Sequence, residues 1–382
     1  MSTRERFVGL MSGTSADGVD AVVAVFENGR YSGLQGAFHL DYPAALRSRL
    51  IAIGSSENTA LSLKELASLD AQVADSFAEA ALSVLRSAGL APDDISAIGS
   101  HGQTIFHDPR GAQSSLQIGD PNRISARTGR PVVADFRRAD IALGGEGAPL
   151  VPAFHHAVFS ATEPRTIVNI GGIANVTWLP GPETSSVRGF DCGPGNGLMD
   201  AWIQKQRGSP YDEDGRLAAS GRPRDKLVAA WLTDPYFAAA PPKSTGRAQF
   251  NLDWAQRTAG ESLDKLPVAD VQSSFCELSA RSIIDSLAPG SRRALVCGGG
   301  ARNLHLLERL QTLAPAVRFE TTDGYGLPPE WVEAAAFAWL ARRRLLGETG
   351  NLPAVTGAQC ATPLGAIYQV AAGAVCAMPS PY

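Results

Sequence analysis

At 382 residues the chain is long enough for two domains of ordinary size. Its composition, 44% hydrophobic and 19% charged, is that of a globular protein. A formal net charge of −4 offers no positive field for nucleic acid or an anionic membrane, which leaves small-molecule chemistry as the expectation.

The opening MSTRERFVGLM turns polar at Ser12, too soon for a secretory apolar segment, so no export signal is expected. Phe7 to Gly29 reads as strand, turn, strand around SGTSADGVD, Ser12 to Asp20. Small and hydroxyl residues there let backbone N–H groups approach a guest, an anion above all. A tight turn punctuated by Ser and Asp accounts for the same residues. Ser62 to Leu90 carries a cap, apolar residues at helical spacing and a closing glycine, and reads as a helix. SHGQTIFHDP, Ser100 to Pro109, gathers His101, Gln103, His107 and Asp108. With no second ligand cluster to make a metal site, these suit hydrogen bonds to a polar substrate or simple core satisfaction.

Pro131 to Pro152 reads as a crossing segment between two halves, a strand followed by charges and then closely spaced Gly and Pro. Within it Arg137 and Arg138 suit a carboxylate or phosphate, or equally an exposed ion pair. TIVNIGGIANVTWLP, Thr166 to Pro180, is a hairpin across Gly171 and Gly172. GFDCGPGNGLMDAWI, Gly189 to Ile203, places Asp191 at the end of a strand, then a glycine turn, then a helix carrying Asp200. A carboxylate so held can act as a general base, and an Asx-turn aspartate is the competing role.

PPKSTGRAQFN, Pro241 to Asn251, collects Lys243, Ser244, Thr245 and Arg247 in a loop fit to touch a nucleotide, to clamp a closing domain, or to stay solvated. Glu277 to Leu287 reads as a helix, and Ala294 to Leu310 runs a strand through Gly298, Gly299 and Gly300 into another. That glycine triplet lacks dinucleotide-fingerprint spacing, so it is read either as a close approach to a nucleotide or as a tight strand–helix crossing. Val332 to Leu346 is a helix whose Glu333 is a functional carboxylate or a first-turn residue favoured by the helix dipole. The apolar tail Ala366 to Met378 contains Gln369 and falls short of the about 20 residues of a membrane span. Five widely spaced cysteines with no CxxC pair fit reduced thiols in a cytoplasm.

Strands alternating with helices argue an α/β architecture, and two glycine hairpins near the starts of two halves argue duplication, although no residue-level repeat is present. No GxxxxGK[ST] string occurs, so a phosphate loop here is a hairpin and not a helix cap.

SGTSADGVD, SHGQTIFHDP, ADFRRADIALGGEGAPLVP, NIGGIANVT, FDCGPGN, PKSTGR, CGGGARN and the late EAAAFAWLA with TGAQCATPLGAIY are similar, in order and end to end, to the 1,6-anhydro-N-acetylmuramic acid kinases. The resemblance implies an α/β fold of two ribonuclease-H-like domains of the actin/hexokinase/heat-shock ATPase superfamily flanking an ATP cleft. It implies a first domain of residues 1–140 completed by 358–382 and a second of 141–357. Gly13, Thr14, Ser15, Ala16, Asp17, Gly18, Val19 and Asp20 would surround the ATP phosphates. Asn169, Gly171 and Gly172 would be their counterpart, and Gly298, Gly299 and Gly300 would pack on adenosine.

The implied reaction opens the 1,6-anhydro bond with water while O6 accepts the γ-phosphoryl group, yielding N-acetylmuramic acid 6-phosphate in cell-wall recycling. Asp191 matches the base and Glu333 a second carboxylate near the water, while His101, Gln103 and Arg138 match sugar contacts. Mg²⁺ would bridge the phosphates with no protein ligand named, and a homodimer is implied. A same-fold kinase of an ordinary sugar hydroxyl and a nucleotide-driven chaperone or regulatory ATPase are the rivals. Three residues depart from the expected pattern: Ala16 for a larger apolar residue, Glu146 for Gln and Ala248 for Glu.

Overall fold

The computed structural model describes residues 3–13, 15–54, 60–241, 243–246 and 249–370. Among them run twelve strands: β1 Arg4–Ser12, β2 Gly18–Glu27, β3 Arg30–Asp41, β4 Ala97–Asp108, β5 Ser114–Ile118, β6 Val132–Ala134, β7 Arg165–Ile170, β8 Ile173–Leu179, β9 Arg188–Pro194, β10 Arg293–Cys297, β11 Arg318–Thr321 and β12 Ala366–Tyr368. They form two sheets in two compact units. One unit holds the described residues up to Val158 and from Trp331 onward, and the other Phe159–Glu330.

The first sheet has the order β12-β6-β4-β1-β2-β3 with β5 paired to β4, and the second the order β11-β10-β7-β8-β9. In the first, β1 is antiparallel to β2 and β2 to β3, while β4 runs parallel to both β1 and β6. In the second, β7 is antiparallel to β8 and β8 to β9, while β10 runs parallel to both β7 and β11. The series β3-β2-β1-β4-β6 and β9-β8-β7-β10-β11 are therefore the same topology. Duplication invisible at the residue level is written in the strand order, and β1–β2 corresponds to β7–β8.

The boundaries differ from those expected. The segment Pro131–Pro152 does not cross between halves, and the Val332–Leu345 helix, expected in the second domain, lies in the first unit. Backbone proximity explains the helix. Gly9 of β1 and Gly99 of β4 are register partners, and a Cβ on Gly9 would collide with Ala334 O, one on Gly99 with Phe337 O. Two strand glycines thus form a flat strip on which an alanine-rich helix lies against the sheet backbone. The pattern of that helix says which face is apolar, but not which sheet receives it.

The opposite face of the first sheet is covered by the Leu63–Ser87 helix, capped by Ser62 accepting from Glu65 N at 3.2 Å. Leu69, Val73 and Phe77 of that helix pack in one core with Val8, Leu10 and Ile98. The core of the second unit is built around the Val268–Asp285 helix, where Phe275 stacks on Trp231 at 4.7 Å between ring centres. This helix starts nine residues ahead of the expected Glu277, because its polar residues Gln272, Ser273 and Ser274 are buried and hide the apolar period. Cys192, Cys276 and Cys297 are buried and Cys360 is exposed. No helix among the described residues is long and apolar enough to cross a membrane.

Candidate active site

In the first unit the β1–β2 ladder ends at Met11 opposite Asp20, leaving Gly13–Asp17 as the loop proper. Thr14 lies outside the described residues. Asp17 Oδ1 accepts from Ser15 Oγ at 3.0 Å and from Gly18 N at 3.1 Å, and Ala16 N donates to Gly13 O at 3.2 Å. Ala16 is buried with φ +47°, a conformation that disfavours larger β-branched side chains, so the small residue suits its place. Gly18, Val19 and Asp20 belong to β2. The Val19 side chain is in the core, and Asp20 lies 2.7 Å from His39 Nδ1, a bond that raises the His39 pKa against the opposing effect of burial.

Ser12 Oγ lies 2.7 Å from both Gly18 O and Gln103 Oε1, and Gln103 Nε2 donates to Gly13 O at 3.1 Å. Gln103, expected at the sugar, is buried behind this loop and braces it. His101 is buried as well. Its Nδ1 donates to Gly102 O at 2.8 Å, so its Nε2 accepts from Arg137 Nη2 at 2.7 Å. Burial, then the Arg137 charge, holds the His101 pKa well below the ordinary range, so the ring is neutral. Arg137 in turn donates to Gly147 O at 2.8 Å; burial lowers its pKa to about 10 against the opposing charges of Glu333 and Asp140. Glu333 is half-buried in the first turn of its helix.

A cavity of about 390 Å³ opens in this unit where β6 ends and β4 passes from its parallel neighbours to its hairpin with β5, near the position at which parallel α/β sheets hold ligands. Its lining includes Ser100, His101, Asp135 and Arg138, while neither Gln103 nor Glu333 contributes. Arg138 Nε donates to Asp135 Oδ1 at 2.7 Å, and its Nη2 lies 2.6 Å from Oδ2. Glu146 forms an exposed pair with Arg110 at 2.8 Å.

In the second unit Asp191 sits inside β9 and not at its end, opposite Asn175. Its backbone is held twice, N to Lys243 O at 3.2 Å and O by Tyr236 Oη at 2.8 Å. Ser244 Oγ donates to Asp191 Oδ2 at 3.0 Å and Thr245 N at 2.9 Å, so among the described residues both carboxylate bonds fall on one oxygen. Burial raises the Asp191 pKa, and these two donors oppose the shift. The Lys243–Thr245 stretch, whose sequence suits a nucleotide contact, a clamp or solvent alike, is bonded to Asp191. Tyr236 carried no signal in the sequence. Arg247 and Ala248 lie outside the described residues.

The glycine loops of this unit come together. Gly195 N and Gly197 N donate to Gly172 O at 2.9 and 3.0 Å, and Asn196 N to Gly171 O at 2.8 Å, fastening the β7–β8 turn. Gly298, at φ +79°, passes so close to Asn169 Oδ1 that a Cβ would collide, and Gly300 does the same against the Ile170 side chain. Gly299 has open space at its Cβ position. Asn169, Gly171, Gly172, Gly298 and Gly300 therefore form one small-residue patch, and the last two glycines of the triplet open a 3-10 turn, Gly299–Arg302, that precedes the Leu304–Leu313 helix. No group of three or more His, Cys, Asp or Glu suited to a metal occurs among the described residues.

The family model for anhydro-N-acetylmuramic acid kinase matches residues 5–370. The chain belongs to that family. A curated anhydro-N-acetylmuramic acid kinase of Xanthomonas axonopodis pv. citri (strain 306) is 48% identical over 369 residues, 95% of this chain and 97% of its own. One of Coxiella burnetii (strain RSA 493 / Nine Mile phase I) is 47% identical over 371 residues, 96% of this chain and 98% of its own. Similar solved structures include component A of the (R)-2-hydroxyglutaryl-CoA dehydratase of Acidaminococcus fermentans, with a TM-score of 0.48, 12% identity, and 88% and 96% of the two chains covered. A ROK hexokinase from Thermus thermophilus gives a TM-score of 0.35, 18% identity, and 88% and 99% coverage. Membership rests on the sequence matches, and the repeated strand order is the two-domain α/β organisation that the family resemblance implies.

Proposed function

We propose that the protein is an ATP-dependent kinase that opens 1,6-anhydro-N-acetylmuramic acid with water and phosphorylates O6, giving N-acetylmuramic acid 6-phosphate and ADP. The carrying observation is Asp191, a carboxylate whose pKa is raised by burial and whose two hydrogen bonds among the described residues fall on Oδ2. A raised pKa makes it a better proton acceptor than an ordinary carboxylate, and with Oδ2 held by these donors the other oxygen is the one assigned to the reacting water.

In this reading a water oxygen attacks C1 of the sugar and its proton passes to Asp191. The C1–O6 bond breaks, O6 takes the γ-phosphoryl group, and ADP leaves with the electron pair of the broken P–O bond. Glu333 is assigned as the second carboxylate for that water and His101 and Arg138 as sugar contacts, while Gln103 supports the first loop. The Gly13–Asp17 loop and the Asn169, Gly171, Gly172 turn are assigned to the phosphates, and Gly298–Gly300 to adenosine. Mg²⁺, when bound, neutralises charge on the phosphates. The loop offers Asp17, already engaged by Ser15 and Gly18, which fits an ion held largely by phosphate oxygens and water. A cytoplasmic role in cell-wall recycling follows from this substrate.

The test is the reaction in ¹⁸O-labelled water with ATP, Mg²⁺ and the anhydro sugar. Label on the anomeric carbon of a 6-phosphorylated product is expected. A product phosphorylated without ring opening would overturn the reading in favour of an ordinary hydroxyl kinase, and ATP consumption without any sugar product would favour a regulatory ATPase.

A further inference from the structure

Asp191 stands on β9, the outermost strand of its sheet among the described residues, so one side of its backbone has no strand to pair with. A register shift lies beside it. Ala174 faces Gly193 and Asn175 faces Asp191, which leaves Cys192 as an extra residue in the strand. A bulge of this kind re-aims a side chain and loosens the local ladder. The Asp191 backbone therefore needs a holder that is not a strand.

Two segments supply one. Asp191 N donates to Lys243 O at 3.2 Å, and Tyr236 Oη donates to Asp191 O at 2.8 Å. The two holders are also joined to each other. Lys243 Nζ donates to Tyr236 O at 3.1 Å and to Phe237 O at 3.2 Å, with the ammonium 4.8 Å from the centre of the Tyr236 ring. Asp191, Lys243 and Tyr236 thus close a ring of contacts, each residue bonded to the other two. The ring is anchored in the core, because Tyr236 N donates to Asp234 Oδ1 at 3.0 Å and Asp234 Oδ2 accepts from Trp254 Nε1 at 2.8 Å. A Cβ on Gly193 would lie 2.7 Å from the Phe237 ring, so the bulged strand runs tight against the segment that carries Tyr236. These contacts use the Lys243 ammonium to fasten backbone, which sets it apart from the nucleotide contact or solvated charge that its sequence also suits.

We propose, resting on the kinase reading above, that Tyr236 and Lys243 are positioning residues: the closed ring fixes the bulged backbone and thereby where the Asp191 carboxylate stands when it takes the proton of water. They act through Asp191 and not on the sugar or ATP.

The experiment measures kcat, both KM values and amide hydrogen exchange in the parent, Tyr236→Phe, Lys243→Met and the double variant. Tyr236→Phe removes one hydroxyl and keeps the ring that packs. Displacing a reacting group by a fraction of an ångström costs on the order of 10-fold, so each single variant is expected to lose about that factor in kcat, with KM for sugar and for ATP changed less than about twofold. Because both substitutions open the same ring, the double variant should fall about as far as the worse single one and not by the product, about 100-fold. Exchange of the Asp191 amide should quicken about 10-fold in each variant while the Val268–Asp285 helix keeps its protection, a readout independent of turnover. A parent-like kcat in Tyr236→Phe, a raised KM for ATP at unchanged kcat in Lys243→Met, losses that multiply, or an Asp191 amide that exchanges as in the parent would each overturn the proposal. A parent that leaves the anhydro sugar unphosphorylated refutes the kinase reading instead, and the exchange rates then decide the ring by themselves.

Discussion

Asp140 is fully buried in the DFRRAD stretch and holds three donors. Its Oδ1 accepts from Asn351 Nδ2 at 2.6 Å and Thr356 Oγ1 at 2.7 Å, and its Oδ2 from Gly147 N at 2.8 Å. One carboxylate thereby ties the turn after Arg138 to the Asn351–Thr356 stretch, far away in sequence. Asp140→Ala strands Gly147 N and removes the shorter bonds of Asn351 Nδ2 and Thr356 Oγ1, which keep only longer ones to Cys360 O at 3.3 Å and Leu352 O at 3.5 Å. A buried donor left without a partner costs about 1–3 kcal/mol, and water entering the vacated space moves the sum toward the lower end, about 4 kcal/mol. For a unit of this size each kcal/mol lowers Tm by about 2–4 °C, so a fall of about 8–16 °C is expected for the transition of the first unit. Differential scanning calorimetry measures it, with hydrogen exchange at β1 and β4 assigning the transition. Asp140→Asn, which keeps the shape and one acceptor but sets an NH₂ against a donor, should fall by about half as much. A Tm within about 2 °C of the parent for the Ala variant would refute the reasoning.

Further outcomes follow from single residues. Because burial raises the Asp191 pKa, the acid limb of kcat should lie above the ordinary carboxylate value of about 4, and a limb at that value would contradict the shift. The folded chain then binds the Asp191 proton more tightly than the unfolded chain. Stability from this group is full below the unfolded pKa and is lost as pH rises through the folded one, so the Tm gain of Asp191→Asn over the parent should grow from pH 4 to pH 7. Gly99→Ala sets a methyl group against Phe337 O and should destabilise by about 1–3 kcal/mol in denaturant titrations. Gln103→Leu removes the brace between Ser12 and Gly13 O and should raise KM for ATP several-fold, with the sugar KM little changed.

Local punctuation made much of this fold legible. The two glycine hairpins, the Ser62-capped helix and the β10 turn all stand where their residues place them, because each is decided within a few positions. Contacts between distant segments were not legible. The Val332–Leu345 helix lies in the first unit and not in the second domain that the resemblance implies, because its partners are two strand glycines, and nothing in their local sequence marks Gly9 and Gly99 as lying under a helix. Gln103 shows the same limit at the site. Its polar window suits a substrate contact or core satisfaction alike, and only the pairing of β4 beside β1 shows that side chain turned to the first loop. The Tyr236 hydrogen bond to Asp191 joins positions 45 residues apart, with no spacing that marks it.

In the proposed reaction the Asp191 carboxylate takes the proton of the water that opens the ring. Single-turnover ring opening by Asp191→Asn, with sugar and ATP binding measured separately, tests it most directly. Unchanged binding and a rate lowered by a factor on the order of 10² or more are expected. Ring opening at the parent rate would contradict it.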